Sequence, residues 1–132
     1  MVAHWGYGFA VLATCQVLAG AALAGDEIWT CSVSSRCVSG ESCFDLATPA
    51  TFALTMAADG KSATFDASGE RATMRLIDAQ RQSRSFFQRM GPGTIGFMTL
   101  YSDGTLTLSS HDGSGGDIAA TASEGKCTRV ES

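Results

Sequence analysis

The residue types best suited to chemistry lie together near the end of the chain, in the run Ser109-Ser110-His111-Asp112. A hydroxyl, an imidazole and a carboxylate are the groups that a hydrolase uses as nucleophile, base and orienting acid. Neighbours along a strand point to alternate faces, however, so adjacent residues do not assemble a triad. We predict no catalytic residues and interpret the run as the polar end of a strand. A small hydrolase or metal-dependent enzyme centred on His111 and Asp112 is kept as an alternative.

The same region is the best candidate for a metal site. His111, Asp112 and Asp117 flank the Gly-rich segment 113–116, and carboxylates on a flexible loop suit a calcium ion. The spacing matches neither the calcium-binding helix-loop-helix nor the Gly-Gly-x-Gly-x-Asp repeat. We therefore predict a hairpin loop, without a metal or another cofactor.

A second candidate for function is a cluster of positive charge. Five arginines fall between positions 71 and 89, and Phe86-Phe87 lies among them. If this segment is a strand, the two rings point to opposite faces and only one can enter the core. Exposed aromatic rings and arginines are enriched at protein interfaces. The pattern predicts a patch that binds a protein or an acidic polymer, formed by Arg71, Arg75, Arg84, Phe87 and Arg89.

An alternative interpretation gives these arginines a structural role. They would form ion pairs with Glu70 and Asp78, and the segment 37–50 would lie across this face and cover the second ring. Ion pairs of this kind at the surface contribute little to stability.

The overall composition limits the class of protein. The chain has 132 residues, of which 45% are hydrophobic and 17% charged, and this suits one folded domain. Its formal net charge of −4 provides no general attraction to nucleic acid or to anionic lipid. We expect neither nucleic acid nor, once the leader is removed, a membrane as partner.

Residues 1–24 are predicted to be a helical signal peptide. The segment from Trp5 to Ala24 carries no charge and ends in Ala22-Leu23-Ala24, a small-residue cleavage pattern, although its start lacks Lys and Arg. An uncleaved membrane anchor and a lipoprotein attached at Cys15 are the alternatives. Cleavage after Ala24 places a mature domain, residues 25–132, in the periplasm or outside a bacterial cell.

The mature domain keeps four cysteines, an even number that indicates two disulfides in an exported protein. Four cysteines allow three pairings, among which the sequence alone does not choose. Geometry favours a bond between Cys37 and Cys43, because they flank a short Gly-containing turn. Cys31 and Cys127 then form the second bond and join the first strand to the last. A zinc site is the alternative, but the spacing lacks the usual Cys-x-x-Cys pairs.

Short segments of β-type composition alternate with turn signals along the mature domain, and no window shows a sustained helical period. Asp59-Gly60 is the clearest hairpin turn. The predicted strands are 27–33, 52–56, 62–66, 70–78, 84–90, 94–101, 105–110, 118–122 and 126–130, with the last two forming a hairpin around Glu124-Gly125.

About eight sequential antiparallel strands in a small domain favour a closed up-and-down β-barrel, with a curled sandwich as the alternative, because closure removes exposed edges. An eight-stranded barrel has an interior that side chains can just fill, so we predict a filled core. A small cavity is the alternative, because the strands also contain the small residues Ala53, Ala63, Ala72, Ala120 and Ala122. The expected core residues are Trp29, Phe52, Leu54, Met56, Phe65, Met74, Leu76, Phe97, Leu106, Leu108 and Ile118.

In outline, an exported small barrel with cysteines near both ends resembles the periplasmic inhibitors of lysozyme, and the start Trp29-Thr30-Cys31 is similar to theirs. The Ser- and Tyr-containing inhibitory loop of those proteins has no clear counterpart here, so no site residue is carried over. The combined pattern favours a non-enzymatic binding or inhibitor module of the bacterial periplasm or exterior. A purely structural component of the envelope is a further alternative.

Overall fold

The alternation of apolar and polar side chains produces eight β-strands. The computed structural model describes residues 25–113 and 119–131. The strands are β1 (Glu27–Val38), β2 (Phe44–Met56), β3 (Ser62–Ala67), β4 (Glu70–Gln80), β5 (Ser83–Gly91), β6 (Thr94–Tyr101), β7 (Thr105–Asp112) and β8 (Ala119–Arg129).

Each strand pairs antiparallel with the next, and β8 returns to pair with β1. The predicted all-β, up-and-down barrel is therefore confirmed. The predicted signal peptide, residues 1–24, lies outside the described residues, as does the predicted core residue Ile118. Within residues 25–113 and 119–131 there is no helix of the length and apolar character needed to cross a membrane.

Both predicted disulfides are present. Cys31 and Cys127 lie directly opposite each other in the pairing of β1 with β8, and both are buried inside the barrel. Cys37 and Cys43 flank the loop that joins β1 to β2. Two disulfides in a domain of this size indicate an oxidising compartment, such as the periplasm or the cell exterior.

Strand β1 contains an irregularity that reverses its inward and outward faces. Its register with β2 and with β8 shifts between Val33 and Ser35, as in a β-bulge. Val33 points inward before the shift, and Arg36 points inward after it. The direction of Arg36 follows from its neighbours, because it lies opposite Ser123, which lies opposite the inward-facing Leu108.

The predicted hairpin around Glu124-Gly125 is wrong, because β8 runs unbroken through both residues. Gly125 has a different role. A Cβ at this position would collide with the backbone oxygen of Ser32 on β1. Gly125 therefore allows β1 and β8 to approach closely beside the bulge, which is a recognised use of glycine inside a strand.

The apolar core fills one half of the barrel, next to the end where β1 begins. We call this the packed end. Side chains from all around the sheet meet there, including Trp29, Leu54, Met56, Ala63, Phe86, Met98, Leu100 and Leu106. The prediction of a filled barrel is thus correct for only half of the interior. Phe97 was placed in the core wrongly, because it lies opposite Phe87 on the outer surface.

The ring closed by Cys31–Cys127 should contribute more to stability than the local Cys37–Cys43 bond. The cysteines are 96 residues apart in the first case and 6 in the second. In the chain-entropy model, such loops correspond to about 4.7 and about 2.4 kcal/mol. We expect the double variant Cys31→Ala/Cys127→Ala to lose about twice as much free energy of unfolding in urea as Cys37→Ala/Cys43→Ala. Equal losses would contradict the expectation that the longer loop makes the larger contribution to stability.

Candidate functional site

The half of the barrel interior away from the packed end contains a cavity of about 670 Å³. We call it the end cavity. It lies where β1, β3, β5 and β7 finish and where the intervening strands begin. Its lining is Arg36, Phe65, Glu70, Arg71, Ala72, Met74, Gln88, Met90, Gly96, Phe97, Leu108, Ser109, Ser110, Thr121 and Ser123.

The end cavity exists because small side chains occupy inward-facing positions on neighbouring strands. Gly96 on β6 lies opposite Ser110 on β7, and Ser110 lies opposite Thr121 on β8. At comparable positions nearer the packed end, the inward residues are large, such as Met98 and Leu106. Met90 occupies part of the space next to Gly96. If position 96 carried a Cβ atom, the Sδ of Met90 would lie only 3.1 Å from it.

The wall of the end cavity is mostly apolar, with a few polar groups. Met74 and Leu108 supply apolar surface, and Phe65 stacks on Phe52 with a centroid separation of 4.2 Å. The hydroxyls of Ser110 and Thr121 share a hydrogen bond. This composition is typical of small-molecule sites, in which a few placed polar groups orient a ligand against an apolar wall.

Three charged residues line the end cavity: Arg36, Glu70 and Arg71. Arg71 forms an ion pair with Asp66, at 2.9 Å between Nη2 and Oδ2. Within residues 25–113 and 119–131, neither Arg36 nor Glu70 has an ion-pair partner. Arg36 is thus an exposed cation in the cavity lining without an ion pair to any other described residue.

The packed end is held by ion pairs that join distant parts of the chain. Glu27 on β1 accepts from Arg84 Nη2 on β5 at 2.9 Å and lies 3.7 Å from Arg129 on β8. Trp29 Nε1 also donates to Glu27, at 3.4 Å. The hydrogen bond from Arg84 is the main cause that holds the pKa of Glu27 below its ordinary value, against the opposing effect of burial.

Arg84 was expected to belong to the arginine patch, but the structure places it elsewhere. Its neighbour in the β5–β6 pairing is the buried Leu100, so it points toward the barrel axis, where it binds Glu27. A separate depression of about 260 Å³ lies between Trp29, Arg84 and the turns at 80–83 and 101–102.

The other members of the expected patch lie on the outer surface. Phe87 on β5 packs against Phe97 on β6, with ring centroids 5.4 Å apart. Arg75 lies opposite Phe87, and Arg89 lies two residues beyond it on the same face. Both arginines are exposed and lack an ion-pair partner among the described residues. We call Arg75, Phe87, Arg89 and Phe97 the outer patch.

The alternative interpretation of the arginines does not match the contacts. Arg71 pairs with Asp66 rather than Glu70, while Asp78 accepts hydrogen bonds from Gln80. The segment 37–50 belongs to the ends of β1 and β2 and to the loop between them, and Phe97 is the aromatic neighbour of Phe87. One ring of the Phe86-Phe87 pair is buried and the other is outside, as the alternation predicts.

Ser110 and His111, the residues considered for catalysis, point to opposite sides of the sheet. Ser110 faces the end cavity, whereas His111 lies opposite Ile95 on the outer surface and is exposed. Asp112 accepts a hydrogen bond from Thr94. In the part of the chain that the structure describes, no group of three His, Cys, Asp or Glu residues could hold a metal ion.

Comparison with protein-family models, with curated proteins and with solved structures finds no match to this chain. The class of the protein is therefore defined by its own features: a closed eight-stranded antiparallel barrel, stapled by two disulfides, that is packed at one end and hollow at the other.

Phe65, Met74 and Leu108 were predicted to face the interior, but the polar residues of the end cavity were not identified from the sequence. Arg36 follows Cys31 and Val33, and strict alternation from these buried residues puts Arg36 outside.

Ser110 shares a face with Leu106 and Leu108, but its polar side chain was interpreted as part of a solvated strand end. Thr121 is a polar residue that alternation from Ile118 assigns to the outer face. The excess of Gly, Ser and Ala on β6, β7 and β8 was the one available signal, because small residues in barrel strands leave internal volume.

The Glu27–Arg84 pair predicts a pH-dependent contribution to stability. A lowered pKa in the folded state means that the contribution is present above the ordinary value of 4.5 and is lost as the pH falls through the folded-state value. We expect Glu27→Gln to lower the free energy of unfolding by about 1 kcal/mol near neutral pH. The difference from wild type should shrink in acid.

Urea unfolding at several pH values measures this difference. Glu124→Gln is the matched control, because Glu124 is exposed on the outer side of β8 and forms no ion pair with the described residues. If Glu27→Gln lowers the free energy of unfolding by the same amount at neutral and at acid pH, the negative charge of Glu27 does not contribute to stability.

Proposed function

We propose that this protein is a non-enzymatic binding module of the bacterial periplasm or exterior, and that it binds a small molecule in the end cavity. The single observation that carries this proposal is the unfilled half of an otherwise well-packed barrel. A volume of about 670 Å³ lies within the range of about 300–1,000 Å³ that is usual for ligand sites.

The structure around the end cavity favours a preformed site. The walls are strands of a closed sheet, whose side chains are held by pairing on both sides. The two disulfides fix β1 on either side of Arg36, at Cys31 and at Cys37. A rigid wall lowers the entropy lost on binding, because fewer side chains and loops must be ordered by the ligand.

The proposed location rests on two features of different kinds. The disulfides indicate an oxidising compartment. Export by an N-terminal signal peptide is inferred from the apolar segment and the Ala22-Leu23-Ala24 pattern in the sequence. A bacterial periplasm or the medium outside the cell satisfies both features.

The geometry gives less support to the other classes of function. An enzyme centred on His111 and Asp112 would need further groups at an outer surface site, but the neighbouring Ser110 faces the opposite side of the sheet. A purely structural role does not explain the end cavity. Small residues at its inward positions reduce the apolar area that the barrel buries, and this lowers the stability of the fold.

A cavity-filling substitution tests the proposed function. Ala72 lines the end cavity, whereas its neighbour Thr73 is exposed on the outer face of β4. We expect the neutral fluorescent probe N-phenyl-1-naphthylamine to bind wild-type protein, and Ala72→Phe to weaken this binding at least about tenfold. Thr73→Phe is the matched control and should leave binding unchanged.

Thermal unfolding of both variants checks that the barrel remains folded, and Ser110→Leu supplies a second obstruction from β7 if Ala72→Phe does not fold. Absence of probe binding to wild type, or undiminished binding to folded Ala72→Phe or Ser110→Leu, would overturn the proposal.

The outer patch supports a second candidate, the binding of an acidic protein or polymer. The observation in its favour is a pair of aromatic rings between two exposed arginines without ion-pair partners among the described residues. Aromatic surface with arginine is typical of interface centres, and the local charge is opposite in sign to that of the whole chain.

A charge-reversal pair tests the second candidate. Arg75→Glu/Arg89→Glu should reduce retention on immobilised poly-glutamate and recovery of any cross-linked periplasmic partner. Lys61→Glu/Arg81→Glu carries the same change in net charge but lies in turns at the packed end, so it serves as the control. Equal behaviour of the two double variants would show that only net charge matters, and the outer patch would be abandoned.

A further inference from the structure

We infer that the ligand of the end cavity is a small amphipathic anion, with an apolar body against the cavity wall and one negatively charged head group paired with Arg36. This inference rests on the proposed function and adds the chemical class of the ligand. Its basis is the position of Arg36 in the lining of a mainly apolar cavity, where its exposed side chain has no ion-pair partner among the described residues.

The position of Arg36 depends on the bulge in β1. Without the shift between Val33 and Ser35, alternation would place Arg36 on the outer face of the sheet and Cys37 on the inner face. With the shift, Arg36 lies opposite Ser123 on the inner face, and Cys37 lies opposite Ala122 on the outer face, where it bonds to Cys43. Bulges that redirect one side chain occur often beside functional sites.

The chemistry of the guanidinium selects the head group. It offers five N–H donors and no acceptor, and it binds carboxylate or phosphate oxygens through charge-assisted hydrogen bonds. The other polar groups nearby are Gln88 and the hydroxyls of Ser110, Thr121 and Ser123, which add donors without negative charge. A neutral head group would form no ion pair with Arg36, whose exposed side chain would stay hydrated.

One other charge of the lining acts against this preference. The charge of Arg71 is compensated by its ion pair with Asp66, so the lining charges without an ion-pair partner among the described residues are those of Arg36 and Glu70. Glu70 opposes an anion, so its removal should strengthen anion binding. The two substitutions Arg36→Gln and Glu70→Gln are therefore predicted to act in opposite directions.

The apolar part of the lining selects the body of the ligand. Phe65, Met74, Met90 and Leu108 supply apolar side chains to the lining from β3, β4, β5 and β7, and Met90 is itself exposed. Methionine side chains adapt to ligands of different shape because they are unbranched and polarizable. An unbranched alkyl chain is the simplest body that fits such a wall.

The test compares three ten-carbon probes on the purified, disulfide-bonded protein by calorimetric titration: decanoate, decyl phosphate and 1-decanol. We expect at least one of the two anions to bind about tenfold or more tightly than the alcohol. The reason is that the anion forms a charge-assisted hydrogen bond with Arg36 and the alcohol does not. The tighter of the two identifies the head group as carboxylate or phosphate.

Arg36→Gln should abolish the preference for the anion by lowering the affinity for the anion far more than the affinity for 1-decanol, whereas Glu70→Gln should increase the affinity for the anion severalfold. Arg89→Gln, which removes one exposed positive charge from the outer patch, is the control and should have no effect.

The outcomes separate the inference from the function on which it rests. If 1-decanol and the anions bind equally, and Ala72→Phe weakens all three, the end cavity binds ligands but the anionic head group is wrong. If none of the probes binds, the proposed function fails as well. A preference for the anion that survives in Arg36→Gln would overturn the role of Arg36.

Discussion

Strand β1 pairs with β2 on one side and with β8 on the other, so the barrel closes through this strand. Both registers shift at the same place, between Val33 and Ser35, and the shift determines which side of the sheet each later residue faces. Before it, Cys31 is inside and bonds to Cys127; after it, Arg36 is inside and Cys37 is outside. One extra residue in one strand therefore separates a buried ring-closing bond from an external local bond. Gly125 on β8 permits this arrangement, because a side chain there would collide with the backbone of β1.

The two halves of the barrel differ in what the interior positions contain. Near the packed end, large side chains such as Phe86 and Leu106 meet on the axis, and the Glu27–Arg84 ion pair lies beside Trp29. In the other half, inward positions carry small or polar residues, and about 670 Å³ is left unfilled. Burial in the first half stabilises the fold through the hydrophobic effect, while the second half adds less apolar burial. The packed end thus supplies most of the apolar burial that stabilises the barrel, and the end cavity is the proposed ligand site.

Much of this fold was predictable from the sequence, because a buried face and a solvated face alternate with period two along most strands. The same reasoning predicted both disulfides, the closed barrel and the separation of Phe86 from Phe87. It failed where a backbone feature overrode the alternation: the bulge moved Arg36 inside, and Gly125 allowed close strand approach where a turn was expected. It also failed at Ser110, which alternates with Leu106 and Leu108 on the inner face but was assigned to solvent because an apolar interior was assumed. The end cavity was missed for these two physical reasons.

Ligands are proposed to enter one half of the barrel and not the other, and the methionines distinguish the two halves. Met74 and Met90 line the end cavity, whereas Met56 and Met98 are buried outside its lining. With ¹³C-methyl methionine labelling, the NMR signals of all four can be followed during titration with N-phenyl-1-naphthylamine. If the ligand binds in the end cavity, the methyl signals of Met74 and Met90 shift saturably while those of Met56 and Met98 stay in place. Saturable shifts confined to Met56 and Met98, or no shift at Met74 and Met90, would contradict this proposal.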